Sequence, residues 1–207
     1  MNLKFIFMQI LKNAIRLQIE RAALRLFAAQ GYDRTTMAEI ASMAGVSTGN
    51  LYRYHSNKEE LLYTLIPESF VGGGLLALQQ KIVLVKGMSS ARVAASKEFK
   101  KSNLAFLKFL LDNRLKLLIL MRGCNGTKWA DFRKTAQQAV IDKVIEHIAS
   151  LQKRSNTFPD HVLLTGIYEN LINITVSILA SDTSQVDCRK ALVGLMSYHQ
   201  RGLSAFC

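Results

Sequence analysis

From Ala14 onward, apolar and polar positions alternate with the period of a helix. Ile15, Ile19, Ala22, Ala23, Leu26 and Phe27 recur three or four apart, while Arg16, Glu20, Arg21 and Arg25 take the other faces. Gly31 supplies a stop for that helix. The residues T-M-A-E at 36–39 have the form of a capping box, in which Thr36 and Glu39 satisfy each other's backbone amides. The short helix they open carries Met37, Ile40, Ala41 and Ala44 inward. Gly45 ends it, Val46 plugs the gap between helices, and Ser47 stands as the next N-cap, ahead of Thr48, Gly49, Asn50, Leu51, Tyr52, Arg53, Tyr54 and His55. A further helix begins near Ser56 or Asn57, with Leu61, Leu62 and Leu65 inward. Pro67 and the triplet Gly72, Gly73 and Gly74 predict an interruption. Helical periodicity then covers most of 90–122, 130–153, 160–181 and 187–202. No run alternates as a strand would and no segment repeats, so the pattern predicts an all-α fold.

Composition agrees with a folded helical chain. In 207 residues, 49% are apolar and two are proline, enough for a sizeable core with few breaks. The formal charge of +12 points to a polyanionic partner. Residues 1–58 hold eight Lys or Arg against three Asp or Glu, and residues 81–116 hold nine against two. Both blocks are candidate nucleic-acid faces, although the second reads equally well as a solvated surface. Cys124, Cys188 and Cys207 are far apart and odd in number, which predicts reduced thiols and a cytoplasmic setting rather than a disulfide framework. The sequons at Asn125 and Asn173 would matter only after secretion, and the apolar opening lacks a small-residue cleavage site. The apolar runs at 117–121 and 171–180 fall short of the roughly 20 residues that span a bilayer, so no membrane partner is expected. His55, His147, His161 and His199 are scattered, without metal-ligand spacing, and the glycine triplet lacks the ending of a phosphate-binding loop. No cofactor, metal or catalytic set is expected.

The stretch G-V-S-T-G, residues 45–49, admits two readings. It fits the G-x-S-x-G of a hydrolase nucleophile elbow, which would make Ser47 a nucleophile. An elbow needs a strand before its serine, and here the pattern predicts a capped helix. The alternative is the turn of a helix-turn-helix, whose second helix enters a major groove. Its chemistry suits that task. Gly49 permits close approach, Thr48 and Asn50 are small and polar, Tyr52, Tyr54 and Lys58 can reach phosphates, and free amides at the helix start favour an anion.

Over residues 22–62, the runs A-A-L-R-L-F-A-A-Q-G-Y, T-T-M-A-E-I-A-S-M-A-G-V-S, G-N-L-Y-R-Y and S-N-K-E-E-L-L resemble the DNA-binding domain of the TetR repressor family. The resemblance implies a three-helix helix-turn-helix DNA-binding domain at 13–58 and a larger helical domain at 59–207 for effector binding and dimerisation. It places Thr36 on a phosphate, Ser47 as a cap beside DNA, Thr48, Gly49 and Asn50 at base edges or adjacent backbone, and Tyr52, Tyr54 and Lys58 on the sugar-phosphate backbone. Arg53 falls at a variable position, open to a guanine or to a phosphate. Three departures stand out: His55 replaces a core phenylalanine, as a half-buried filler, a ligand or a pH switch; Pro67 and the glycines fall in the helix that joins the domains; and the first dozen residues are unusually apolar, which a later start at Met8 would explain.

In the larger domain, the resemblance implies that the last two helices pair with their symmetry mates. The stripes Val162, Leu163, Ile167, Leu171, Ile174 and Ile178, then Ala191, Leu192, Leu195 and Met196, are candidates, with Gly166 and Ser177 permitting close approach; ordinary core competes for the same residues. Phe99, Phe106, Phe109, Leu110, Met121, Trp129, Phe132 and Tyr168 could line an effector pocket, with Asn103 or Asn170 orienting a ligand and Trp129 at its mouth. Lys97, Lys100 and Lys101 leave an anionic effector open. The expectation is a homodimeric, cytoplasmic repressor released from a palindromic double-stranded DNA operator by a small molecule. The competing expectations are a sequence-indifferent basic nucleic-acid-binding protein and a serine hydrolase using Ser47.

Overall fold

The computed structural model describes residues 3–84, 88, 90–151 and 161–203. Cys207 and the outer ends of two predicted segments (Gln152, Lys153 and Asp160) lie outside the described residues. Among the described residues the fold is all-α: α1 (Leu3–Gln30), α2 (Met37–Ala44), α3 (Thr48–Tyr52), α4 (Lys58–Leu65), α5 (Glu68–Val83), α6 (Ser90–Ala95), α7 (Lys97–Asp112), α8 (Arg114–Arg122), α9 (Phe132–Leu151), α10 (His161–Ala180) and α11 (Gln185–Leu203).

Helix α1 starts well before Ala14. Leu, Met, Gln and Lys propagate a helix readily, and no breaker precedes Gly31, so the packed C-terminal half extends backwards. The extension carries no apolar stripe, and Leu3, Phe5, Phe7, Ile10 and Leu11 are all exposed. The packed half buries Ile19, Ala22, Ala23 and Phe27 against Met37, Ile40 and Ala41 of α2, Leu51 of α3, and Leu61, Leu62 and Leu65 of α4. Although α4 lies beyond residue 58, it shares the core of α1 to α3.

Pro67 does what its chemistry requires. It ends α4, starts α5 as its N-cap, and the two helices meet at 43°. The glycines do not interrupt anything: Gly72, Gly73 and Gly74 lie inside α5, contrary to the linker expected of them. Packing outweighs propensity here. A Cβ on Gly74 would lie 3.1 Å from the Phe109 ring, so glycine allows α5 to approach α7, where Phe109 stacks on Phe70 and Phe106. The predicted segment 90–122 divides into three helices, with breaks at Ser96, whose hydroxyl accepts from the Phe99 amide, and at Asn113.

The first core continues through Leu117, Leu118, Ile119 and Leu120 of α8 to Cys124, Leu179 and Leu192. A second apolar cluster joins Val140, Ile141, Val144 and Ile148 of α9 to Leu164 and Tyr168 of α10. Helix α10 is long and apolar enough to cross a bilayer by composition; Leu164, Tyr168 and Leu179 face its own core, while Val162, Leu163, Gly166, Ile174 and Ser177 face outward. The α11 stripe turns mostly inward, with Leu192 buried and Leu195 and Met196 beside a cavity; Val186, Val193 and Tyr198 are exposed instead.

Candidate nucleic-acid interface and internal cavity

The turn between α2 and α3 is built from reciprocal caps. Thr36 Oγ1 accepts from the Glu39 amide at 3.2 Å, while the Thr36 amide donates to Glu39 Oε2 at 2.7 Å. The Thr36 amide, and after it the Thr36 hydroxyl that also donates to Glu39 Oε2 at 2.8 Å, hold the Glu39 carboxyl below its ordinary pKa. Gly45 takes φ +68°; its amide bonds the Ser42 carbonyl and the Val46 amide bonds the Ala41 carbonyl, closing α2 in a left-handed conformation that suits glycine. Ser47 Oγ then accepts from the Asn50 amide at 3.2 Å. A helix precedes Ser47, so the strand–turn–helix of a nucleophile elbow is not formed and the hydroxyl is a cap.

Helix α3 is shorter than expected, ending at Tyr52, and Arg53 and Tyr54 continue as turn. Leu51 is fully buried and fixes its rotation. At 3.6 residues per turn, Gly49 and Arg53 then stand farthest from the core, flanked by Tyr52 on one side and Asn50 on the other. Thr36, Ser47, Thr48, Gly49, Tyr52 and Arg53 are exposed, and Asn50 and Tyr54 are half-buried.

Lys58 and His55 are both held by the fold, Lys58 away from the phosphate contact expected of it and His55 as a core filler. Lys58 Nζ donates to the carbonyls of Tyr32, Asp33 and Thr35 at 2.8, 3.3 and 2.9 Å and lies 4.3 Å from the centre of the Tyr32 ring. All three ammonium protons are thus committed to the loop after α1, leaving none for a phosphate in this arrangement. His55 is 3% exposed, so the imidazole fills the core rather than half-filling it. Its Nδ1 lies 3.4 Å from Glu60 Oε1, and its Nε2 has no hydrogen-bond partner. Burial opposes ionisation of Glu60, yet the Ser56 amide and hydroxyl, with His55, hold its carboxyl below the usual range.

A cavity of about 290 Å³ opens among α5 to α11. Phe99, Asn103, Phe106, Leu110, Met121 and Tyr168 are among the residues that line it. Phe109 does not, because its ring is taken up between Phe70 and Phe106. Nor does Trp129: the loop after α8 folds onto α4, where the indole meets Tyr63 edge-on at 6.3 Å and the Lys128 amide donates to the Tyr63 hydroxyl at 3.1 Å. Phe132 and Asn170 also lie outside the lining.

The cavity adds polar residues that helical periodicity does not single out: Lys81, His147, Thr175, His199 and Gln200. His199 Nε2 and the Tyr168 hydroxyl are 3.1 Å apart. Burial, then the charge of Lys81, holds His199 down to about 4, and burial raises Tyr168. Lys81 is lowered to about 8 by burial alone.

Helix α8 links the cavity to α1. Leu117 and Met121 are in the cavity wall, and Arg122, next in sequence, donates to the carbonyls of Ala28 and Ala29 at the end of α1. A guanidinium there satisfies orphan carbonyls and complements the helix dipole. Asn125 adds a bond to Asp33 at 2.7 Å, and Lys128 a bond to Glu68 at 2.7 Å.

Against known proteins, residues 19–64 match the family described as bacterial regulatory proteins, tetR family. The HTH-type transcriptional regulator TtgR of Pseudomonas putida is 47% identical over 51 residues, 25% of this chain and 24% of that protein. The HTH-type transcriptional regulator HbdR of Aromatoleum is 48% identical over 48 residues, 23% of this chain and 21% of that one. The match thus spans about a quarter of those relatives' length. A solved transcriptional regulator of Aquifex aeolicus overlays with a TM-score of 0.44 at 16% identity, over 93% of this chain and 99% of that chain; so distant an overlay carries no weight. Over the capped helix-turn-helix of residues 19–64, the chain matches the tetR family of bacterial regulatory proteins.

Proposed function

We propose that this protein is a homodimeric, ligand-responsive transcriptional repressor of the cytoplasm, released from a near-palindromic operator by a small molecule. Each subunit lays α3 in a major groove. Thr48, Gly49, Asn50 and Arg53 face the bases or their adjacent backbone, while Thr36, Tyr52 and Tyr54 hold phosphates around the Ser47 cap. The observation that carries the ligand response is the double role of α8: Met121 faces the cavity while Arg122 grips the end of α1. A ligand that displaces Met121 acts on the helix that clamps α1, and through it on the spacing of the two α3 helices. A coupling of about 1–3 kcal/mol, roughly 5–150-fold in affinity, is ordinary for such a link.

The dimer reading rests on the outward apolar residues of α10, since two half-sites call for a two-fold protein. Fluorescence anisotropy against DNA from the gene's own upstream region, with random DNA as competitor, tests the whole. Tight binding to one fragment that survives competitor and is lost in Tyr52→Ala is the expected result. Equal binding to every fragment, with steep salt dependence, would replace this reading with the sequence-indifferent one.

A further inference from the structure

The cavity contains an ammonium that no described residue neutralises. Lys81 of α5 makes no salt bridge or hydrogen bond among the described residues, and no Asp or Glu lines the cavity. Its Nζ lies 4.9 Å from the centre of the Phe106 ring and 5.9 Å from that of Phe99. Phe99, Asn103 and Phe106 are spaced four and three apart on α7 and so share one face. The ammonium therefore bridges two rings that flank Asn103, whose buried Oδ1 has no hydrogen-bond partner. A buried charge without a partner is costly, and ring faces offset only part of the cost. An amide beside it can turn its NH2 toward an acceptor. Beyond the polar His147, Thr175, His199 and Gln200, the walls are apolar, with Leu78, Ile82, Val140, Val144 and Leu171 among them.

We propose that the cavity takes an organic carboxylate with an apolar body, its head between Lys81 and Asn103 and its tail among the aliphatic side chains of α5, α9 and α10. This rests on the effector reading of the same cavity and narrows it to a chemical class. Size narrows it further. At roughly 30 Å³ per water-sized atom, 290 Å³ takes about ten non-hydrogen atoms, the size of an eight-carbon acid. Burial, which holds the Lys81 ammonium down to about 8, leaves it mostly charged at neutral pH, so the head group meets a cation. The unpaired charge is relieved when a carboxylate arrives.

Titration calorimetry of the full chain, without DNA, tests this with octanoate, 1-octanol and octylammonium. Octanoate is expected to bind at least ten-fold more tightly than octanol. Lys81→Met is expected to remove that preference while retaining octanol, and Lys81→Arg to retain it. Equal affinity for octanoate and octanol, a preference for octylammonium, or binding of none of the three would overturn the proposal. The wild-type comparison decides this even if Lys81→Met does not fold. A second titration, of octanoate into the protein–DNA complex, separates the two readings: octanoate that binds without shifting DNA affinity leaves the carboxylate site standing and removes the effector role.

Discussion

At the residue scale, the contrast between Arg53 and Lys58 is the sharpest. Both are basic and both adjoin α3, but Arg53 stands outward opposite the buried Leu51, whereas Lys58 is spent on three carbonyls. Arg53→Ala is expected to weaken DNA binding. If Arg53 reads a guanine, the loss is about 1–3 kcal/mol and confined to sites with that base; if it holds a phosphate, the loss is uniform and the salt slope falls by about one. Lys58→Met is expected instead to cost about 1.5–3 kcal/mol of stability in urea titration, the worth of charged hydrogen bonds, with the salt slope of DNA binding unchanged. The pair is distinguished by which assay each variant moves. His199 sets an acid limit. Its folded pKa of about 4 is below the unfolded 6.5, so between those values the unfolded chain holds the extra proton. Stability is therefore lost as pH falls from about 6.5 to 4, by on the order of 3 kcal/mol from this residue. His147, also lowered by burial, slopes the same way. His199→Gln can still face the Tyr168 hydroxyl but cannot titrate, and its melting temperature is expected to fall less steeply over that range.

At the element scale, α5 shows a local signal overruled. Three consecutive glycines argue against a helix, yet α5 runs through them, because Gly74 faces the Phe109 ring. Gly72 and Gly73 have open space where a Cβ would go. Gly72→Ala and Gly73→Ala are thus each expected to stabilise by about 0.5–1 kcal/mol, the ordinary gain of alanine over glycine in a helix. Gly74→Ala must move a ring stacked on Phe70 and Phe106, and is expected to gain nothing or to lose stability in thermal melts. The caps at Thr36 and Ser47, by contrast, were legible residue by residue, because a cap is an interaction across three positions of one chain. So was the end of α4 at Pro67, where a missing amide acts locally. The length of α1 was not legible, since its first eleven residues carry no stripe and most of them are exposed.

At the scale of the whole molecule, the outward face of α10 is the proposed dimer surface. Val162 is 74% exposed and Leu163 47%, on the same helix whose other face buries Leu164 and Tyr168. Leu163→Glu is expected to turn a dimer into a monomer in sedimentation velocity and to lower operator affinity more than ten-fold, because half-sites are then bound singly. A wild-type monomer, or an unaffected variant, would remove α10 from the interface. The cavity is also a property of the whole molecule. Asn103, Phe106, Leu110, Met121 and Tyr168 were foreseeable as apolar or polar members of helical stripes. Lys81, His147 and His199 come from three separate helices, α5, α9 and α11, and nothing in their local spacing marks them as neighbours.

What the amino-acid order determined alone is whatever acts within a few residues: helical periods, the capping box, the left-handed turn at Gly45, the Ser47 cap, the break at Pro67, and hence the helix-turn-helix and its exposed face. Tertiary structure alone decided what long-range contacts settle. It put Trp129 on Tyr63 rather than in the cavity, committed Lys58 to the loop after α1, kept α5 whole through its glycines, and brought Arg122 to the end of α1. Short-range bonds are set by covalent spacing, so a string of letters shows them. Which faces meet depends on packing many side chains at once, and no window along the chain contains that information.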